Sequence, residues 1–205
     1  MCPWPSEGAV TPWLPLHVIL SHDVIANLKS RKSVALALRI LWDFSGYSDM
    51  AIGFARMHGI KLPANFRWPY LAGSITSFWR RWHISLSLWI RDYIYIALGG
   101  NRHGIVLKVV NGLIAFAICG LWHGAGWNFL LWGLYHGVAI AVVSTYRDAM
   151  GAVGRGIGFA FDRVPFVGWA LTMVFVAVGW LLFFYPAPEA AEMARLLFVK
   201  GTVTP

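Results

Sequence analysis

Charged residues are scarce in this 205-residue chain, where Asp, Glu, Lys and Arg make up 13% of the sequence. Hydrophobic residues make up 58%, and the mean hydropathy is +0.60. Because soluble domains carry about 25% charged residues, this shortage excludes an ordinary soluble protein and predicts a chain that lies in lipid. The 12 Trp and 7 Tyr residues support the prediction, since their amphipathic rings favour the headgroup level of a membrane.

Cysteine and nucleotide-binding motifs are also lacking. The only cysteines, Cys2 and Cys119, offer neither a disulfide framework nor a metal-ligand spacing. The sequence has no Gly-rich nucleotide loop and no Gly-x-Ser-x-Gly motif, which excludes ATPase and serine-hydrolase functions. The net charge is +8, but the basic residues stand in short clusters between apolar runs. We therefore expect membrane lipids, and no nucleic acid, as partners of these charges.

The apolar segments predict an all-α fold, a multi-pass transmembrane helical bundle. Three segments approach the ~20 residues that a bilayer crossing needs, and 34–54 is a weaker span with a polar middle. The clear spans are 105–121, 126–146 and 167–185. A Gly-rich connector is predicted over 151–158, and a short amphipathic helix over 189–200.

The N-terminal segment differs from the rest. Residues 1–33 are Pro-rich and then polar, without the features of a secretory signal peptide. We expect a poorly ordered or interfacial segment here, followed by a membrane domain over 34–205.

The stretch 74–98 combines helical spacing with four charged residues. Such charges are costly in lipid, so we expect one helix that lies shallow or lines a protein cavity. Four-residue spacing would place Trp79, His83 and Ser87 on one face, with Trp82 and Trp89 forming a second, aromatic stripe. An interfacial helix whose His83 faces headgroups is an equal alternative. Arg80 and Arg81 would contact lipid phosphates or the phosphates of an anionic donor.

The stretch 121–128, Leu-Trp-His-Gly-Ala-Gly-Trp-Asn, places a titratable side chain in an apolar region. We expect His123 in a short turn between two spans, where small residues leave room for a reactant. An imidazole can accept a proton from a hydroxyl at neutral pH, although helix packing explains this histidine equally well. We expect His136 to hydrogen-bond across helices, and Asp43 and Asp49 to pair with Arg in neighbouring segments.

Three stretches together resemble the membrane-bound O-acyltransferase (MBOAT) family, within it the alginate O-acetyltransferases and teichoic-acid D-alanyl transfer proteins. They are the Asp-Phe-Ser-Gly-Tyr-Ser-Asp stretch from Asp43, the Phe-Trp-Arg-Arg-Trp-His stretch from Phe78 continuing to Arg102, and 121–137 around His123. The resemblance implies part of a helical membrane fold with a tunnel. It also implies that His123 acts as general base and that His83 positions a reactant or the developing oxyanion.

The resemblance further implies transfer of an acetyl group from a thioester, such as acetyl-CoA, to hydroxyls of an exported, alginate-like polysaccharide. We expect no tightly bound cofactor and no metal. The partners would be the polysaccharide or a periplasmic acyl-relay protein, and the location the bacterial inner membrane. The substrate-binding candidates are Trp79, Arg80, Trp82, Ser87, Trp122 and Asn128.

Both ends of the chain depart from the family pattern, which has further spans before Asp43 and usually more chain after the amphipathic helix. We therefore expect the C-terminal part of a full-length protein. Three alternatives remain open at this point: an inactive remnant, a transporter subunit and a haem protein with two histidine ligands. In the transporter, His83, His123 and Asp49 would line a proton or solute path.

Overall fold

A computed structural model describes the backbone of residues 31–198, and the side chains within that range except at 31–34, 147–163 and 196–198. Residues 1–30 of the N-terminal segment predicted over 1–33 lie outside the described residues. The described part of the chain consists of helices joined by loops and turns, with no strand. Its α-helices are α1 (Arg31–Met57), α2 (Ile75–Trp79), α3 (Ile84–Ile90), α4 (Gly104–His123), α5 (Trp127–Arg163), α6 (Pro165–Phe184) and α7 (Ala187–Phe198).

Three of these helices contain segments long and apolar enough to cross a membrane. The segments are Gly104–His123, Trp127–Tyr146 and Pro165–Phe184, each 20 residues long. They agree with the spans expected from the sequence. Helix α7 likewise confirms the predicted amphipathic segment, with Arg195 paired to Glu192 on its exposed side. Helix α1 is not among the candidate spans within the described residues.

Helices α4 and α5 form the tightest pair in the bundle, and two glycines set their separation. A Cβ added at Gly120 would collide with the carbonyl oxygen of Phe129, and one at Gly133 with that of Phe116. Backbone thus meets backbone at this crossing, as happens where small residues line a helix interface in lipid. Further along the same pair, Lys108 donates to the carbonyl oxygen of Ser144 at 2.9 Å.

An aromatic core fills the space between α2, α5 and α6. Trp132 and His136 of α5 are 2% and 1% exposed, and Phe78 of α2 is equally buried. Trp82, just after α2, contacts Trp180 of α6 at a ring-centroid distance of 4.9 Å. Trp79 of α2 packs edge to face on Trp132 at 5.9 Å, and ring pairs of this kind contribute beyond their buried area. The core therefore fixes the short helix α2 against the long helices.

The single helix predicted over 74–98 is wrong, because the chain breaks between α2 and α3. His83 adopts a left-handed backbone conformation with φ of 43°. The amide of Ile84 donates to the carbonyl oxygen of Asn65, and the amide of Arg67 donates to that of Arg81, both at 3.0 Å. A connector distant in sequence thus satisfies backbone groups that would otherwise bond within a helix.

The break also overturns the two predicted helix faces. Trp79, His83 and Ser87 no longer share a face, since His83 lies between two helices. The stripe of Trp82 and Trp89 is absent as well, because Trp82 is buried whereas Trp89 is 51% exposed. After α3, a single π-helical segment, Arg91–Tyr95, leads into the loop before α4.

The Gly-rich connector predicted over 151–158 is wrong too, since α5 continues through it to Arg163. Glycine lowers helix propensity by only about 1 kcal/mol per residue, which neighbouring helix formers can offset. The predicted turn around His123 is shorter than expected, because His123 is the last residue of α4.

We predict that Gly120→Ala lowers the free energy of unfolding by about 1–3 kcal/mol, because the colliding atom is backbone and cannot rotate away. Gly112→Ala is the matched control on the same helix, where an added Cβ has no neighbour within 4 Å. Thermal unfolding of the detergent-solubilised chain measures both. Equal stability of the two variants would contradict the close helix crossing.

Candidate functional site

His123 lies at the C-terminal end of α4 inside an aromatic wall. Its half-buried ring is edge-on to Trp122, Trp132 and Phe183, with centroid distances of 4.9, 5.2 and 5.0 Å. These three rings come from α4, α5 and α6. The glycine contact between α4 and α5 therefore fixes where His123 sits.

The small residues after His123 make room for the chain's own side chains. A Cβ at Gly124 would lie 2.6 Å from the Phe129 ring, and one at Gly126 would collide with the side-chain oxygen of Asn128. Asn128 in turn donates to the carbonyl oxygen of Phe183 at 3.1 Å. The turn thus ties the start of α5 to the end of α6 beside the histidine.

His83 occupies the break between α2 and α3 and is 8% exposed. Its ring is edge-on to Phe44 of α1 at 4.7 Å and to Trp122 at 5.9 Å. Burial and, to a smaller extent, the neighbouring His123 lower the pKa of His83 to about 4. His83 is therefore a neutral imidazole at neutral pH. Because Trp122 touches both histidine rings, the structure brings His83 and His123 to one site.

Asn65 is a functional candidate that the sequence analysis missed. Its side-chain oxygen contacts the amide and the hydroxyl of Ser85 at 3.1 and 2.9 Å, and Nδ1 of His83 at 3.2 Å. Its side-chain nitrogen donates to the Ser48 hydroxyl of α1 at 3.2 Å. Asn65 lies in a connector without periodicity, 18 residues before His83, so no local pattern marks it.

The cross-helix role predicted for His136 is confirmed. The indole N–H of Trp79 donates to Nδ1 of His136 at 3.4 Å, which joins α2 to α5 inside the aromatic core. A Cβ at Gly179 of α6 would lie 2.8 Å from Nε2 of the same ring. These contacts place the buried His136 ring between α2 and α6.

A cavity of about 480 Å³ lies between the 76–95 region and helices α4 and α5. Its lining on α4 follows one face at helical spacing, from Lys108 to Cys119. Arg80, Arg91 and Lys108 supply positive charge, whereas most of the wall is apolar. Arg91 also pairs with its neighbour Asp92 at 2.7 Å. A ligand that carries an anionic group and a narrow, apolar arm would match the charge and the wall of such a cavity.

The cavity ends close to His123 without being lined by it. Cys119 in its wall precedes His123 by four residues, a rise of about 6 Å along the helix. Trp79 also lines the cavity and contacts Trp132 at 5.9 Å, and Trp132 contacts His123. The cavity wall and His123 therefore both contact the ring of Trp132 or its neighbour Trp79.

The predicted substrate-binding residues fall into three places. Trp79, Arg80 and Ser87 line the cavity. Trp122, 60% exposed, lies between the two histidines. Trp82 packs in the core, and Asn128 holds the turn after His123, so neither lines the cavity.

The predicted ion pairs of α1 differ from expectation. Asp43 pairs with Arg39, four residues earlier on the same helix, at 3.4 Å rather than with a neighbouring segment. This spacing places the two side chains side by side on the helix surface. Asp49 is exposed, and among the described residues it makes no polar contact with either histidine.

Comparison with known proteins identifies the family of this chain. The model of the MBOAT, membrane-bound O-acyltransferase family matches residues 32–185. The chain is 45% identical to a probable alginate O-acetylase of Pseudomonas syringae pv. tomato over 151 residues, which are 74% of this chain and 27% of the relative. It is 43% identical to a peptidoglycan O-acetyltransferase of Helicobacter pylori, covering 83% of this chain and 31% of the relative.

A more distant relative is the teichoic acid D-alanyltransferase of Bacillus subtilis, 32% identical over 64% of this chain and 35% of the relative. The chain thus spans about three-tenths of the length of these relatives. The family match includes both histidines and the cavity wall. The chain belongs to the membrane-bound O-acyltransferase family.

Proposed function

We propose that the chain carries the histidine site of an O-acetyltransferase in the bacterial inner membrane, crossing it several times. This enzyme would transfer an acetyl group from a thioester to hydroxyls of an exported polysaccharide. The observation that carries the proposal is a basic, otherwise apolar cavity that ends one helical turn from His123. The names of the relatives, an alginate O-acetylase and a peptidoglycan O-acetyltransferase, support acetyl transfer to a polysaccharide hydroxyl.

In the proposed reaction, His123 accepts the proton of the acceptor hydroxyl while its oxygen attacks the thioester carbonyl carbon. The carbon–sulfur bond then breaks, and the thiolate leaves and takes up the proton. Aromatic walls around His123 keep water away from this exchange, which limits hydrolysis of the donor. General base catalysis of this kind contributes about 10²- to 10⁴-fold in rate.

The donor would be acetyl-CoA or another anionic acyl thioester that needs no tightly bound cofactor. Its phosphates would lie near Arg80 and Lys108, and its thin thioester arm would extend along α4 towards Cys119. Arg80 is exposed and so can bind a phosphate without first losing a buried partner. The acceptor would be the polysaccharide itself or a periplasmic acyl-relay protein.

We predict that His123→Ala lowers polysaccharide O-acetylation by about 10²-fold or more in cells that lack their own O-acetyltransferase. The 205-residue chain and a version extended upstream are each compared with their His123→Ala variants. His58→Ala is the control, because His58 is exposed and the described contacts of its side chain are with Phe54 of the same helix turn. O-acetylation that is unaffected by His123→Ala would refute the proposed role.

The cavity gives a second prediction. Ala115→Phe, which fills the cavity at a buried lining position, should abolish most transfer while leaving the chain folded. Val174→Phe places the same ring on an exposed face of α6 and should leave transfer unchanged. Initial rates at varied donor concentration measure both. Equal effects of the two substitutions would exclude the cavity as the donor path.

The charge at the cavity is tested separately. Arg80→Gln should raise the KM for an acetyl-CoA donor several-fold and change kcat little, since it removes binding to a phosphate distant from the reacting atoms. Arg102→Gln, an exposed arginine that does not line the cavity, is the control. A fall in kcat at unchanged KM would contradict phosphate binding by Arg80.

A further inference from the structure

The hydrogen bonds of Asn65 fix which way its amide group faces. A backbone N–H is always a donor, so the Asn65 atom that lies 3.1 Å from the Ser85 amide must be its side-chain oxygen. The side-chain nitrogen then faces Ser48, whose hydroxyl can accept from it at 3.2 Å. The orientation of Asn65 therefore follows from the chemistry of its neighbours.

The same oxygen determines where the proton of His83 resides. It lies 3.2 Å from Nδ1 of His83, and because a carbonyl oxygen only accepts, Nδ1 must carry the hydrogen. His83 is a neutral imidazole, so its other nitrogen, Nε2, keeps a lone pair and carries no hydrogen. This tautomer makes Nε2 an acceptor that cannot donate to an oxyanion.

Nε2 of His83 is buried and makes no hydrogen bond to any described residue. A buried polar atom without a partner costs free energy, and a bound ligand group or a catalytic role is one explanation for such an atom in a native protein. His83 is also held firmly, since the connector 65–67 bonds to the backbone on both sides of it. Its ring touches Trp122, which also contacts His123.

We propose that Asn65 is a positioning residue that holds His83 in the Nδ1–H tautomer, so that Nε2 accepts a hydrogen bond from a hydroxyl of the acceptor. The proposal rests on the proposed acyl transfer and refines the role of His83. Of the two roles expected from the sequence, His83 orients the alcohol, and the developing oxyanion is stabilised by other donors. His123 remains the group that takes the proton.

The tautomer can be measured without turnover. In the detergent-solubilised chain with ¹⁵N-labelled histidine, His83→Gln identifies the His83 signals. We expect a protonated, pyrrole-type Nδ1 and an unprotonated, pyridine-type Nε2 at neutral pH. The reverse pattern, or a charged ring, would overturn the proposal. The Asn65→Leu variant should show a mixture of tautomers, and an unchanged Nδ1–H form there would overturn the role of Asn65.

Turnover then separates positioning from mere support of the fold. Asn65→Leu should lower kcat by about 10²-fold, less than the about 10⁴-fold lost when the base itself has the wrong tautomer, with little change in the KM for the thioester. Asn65→Asp retains an oxygen for Nδ1–H and the Ser85 amide and should stay within about 10-fold of the native kcat. Asn101→Leu, the same exchange at an exposed asparagine in the loop before α4, is the control and should leave kcat unchanged.

A loss in Asn65→Asp as large as in Asn65→Leu would overturn the proposal, because the acceptor oxygen is retained in the first variant alone. An inactive native protein would instead refute the proposed acyl transfer. The ¹⁵N spectrum of the native chain would still decide the tautomer in that case. The two failures are therefore distinguishable.

Discussion

The close crossing of α4 and α5 fixes the position of His123 against the aromatic core. Gly120 and Gly133 let the two backbones touch, and the residues that follow or flank them, His123 and Trp132, are brought into edge-to-face contact. In lipid no hydrophobic effect drives helices together, so close packing of small residues has to supply the attraction. The same glycine contact therefore fixes both the separation of the two helices and the position of His123 at the end of α4.

The break between α2 and α3 fixes the position of the second histidine, His83. The connector containing Asn65 bonds to both sides of the break and to α1 through Ser48, so it joins three separate segments. The break turns His83 away from a helix face and towards Trp122. Two histidines that lie 40 positions apart in the sequence thus meet across one indole ring, each held by a different set of interactions.

Local composition predicted the spans, because apolar length alone decides which segments can cross a bilayer. It also identified His83 and His123 as candidates, with help from the resemblance of their surroundings to a known family. The break at His83 could not be predicted, since its bonds come from residues 65 and 67, far outside any helical window. Asn65 could not be identified from the sequence for the same reason. Helix α5 runs through 151–158, so a high glycine content alone does not predict a connector.

The proposed acyl transfer requires that an acyl thioester reaches His123 through the cavity along α4. This path can be tested by photo-crosslinking with a diazirine-bearing acyl thioester of coenzyme A, followed by peptide mass spectrometry. We expect adducts in the α4 peptide around Phe116 and Cys119 that acetyl-CoA suppresses by competition. Adducts confined to the exposed faces of α1 and α6, or unaffected by acetyl-CoA, would contradict it.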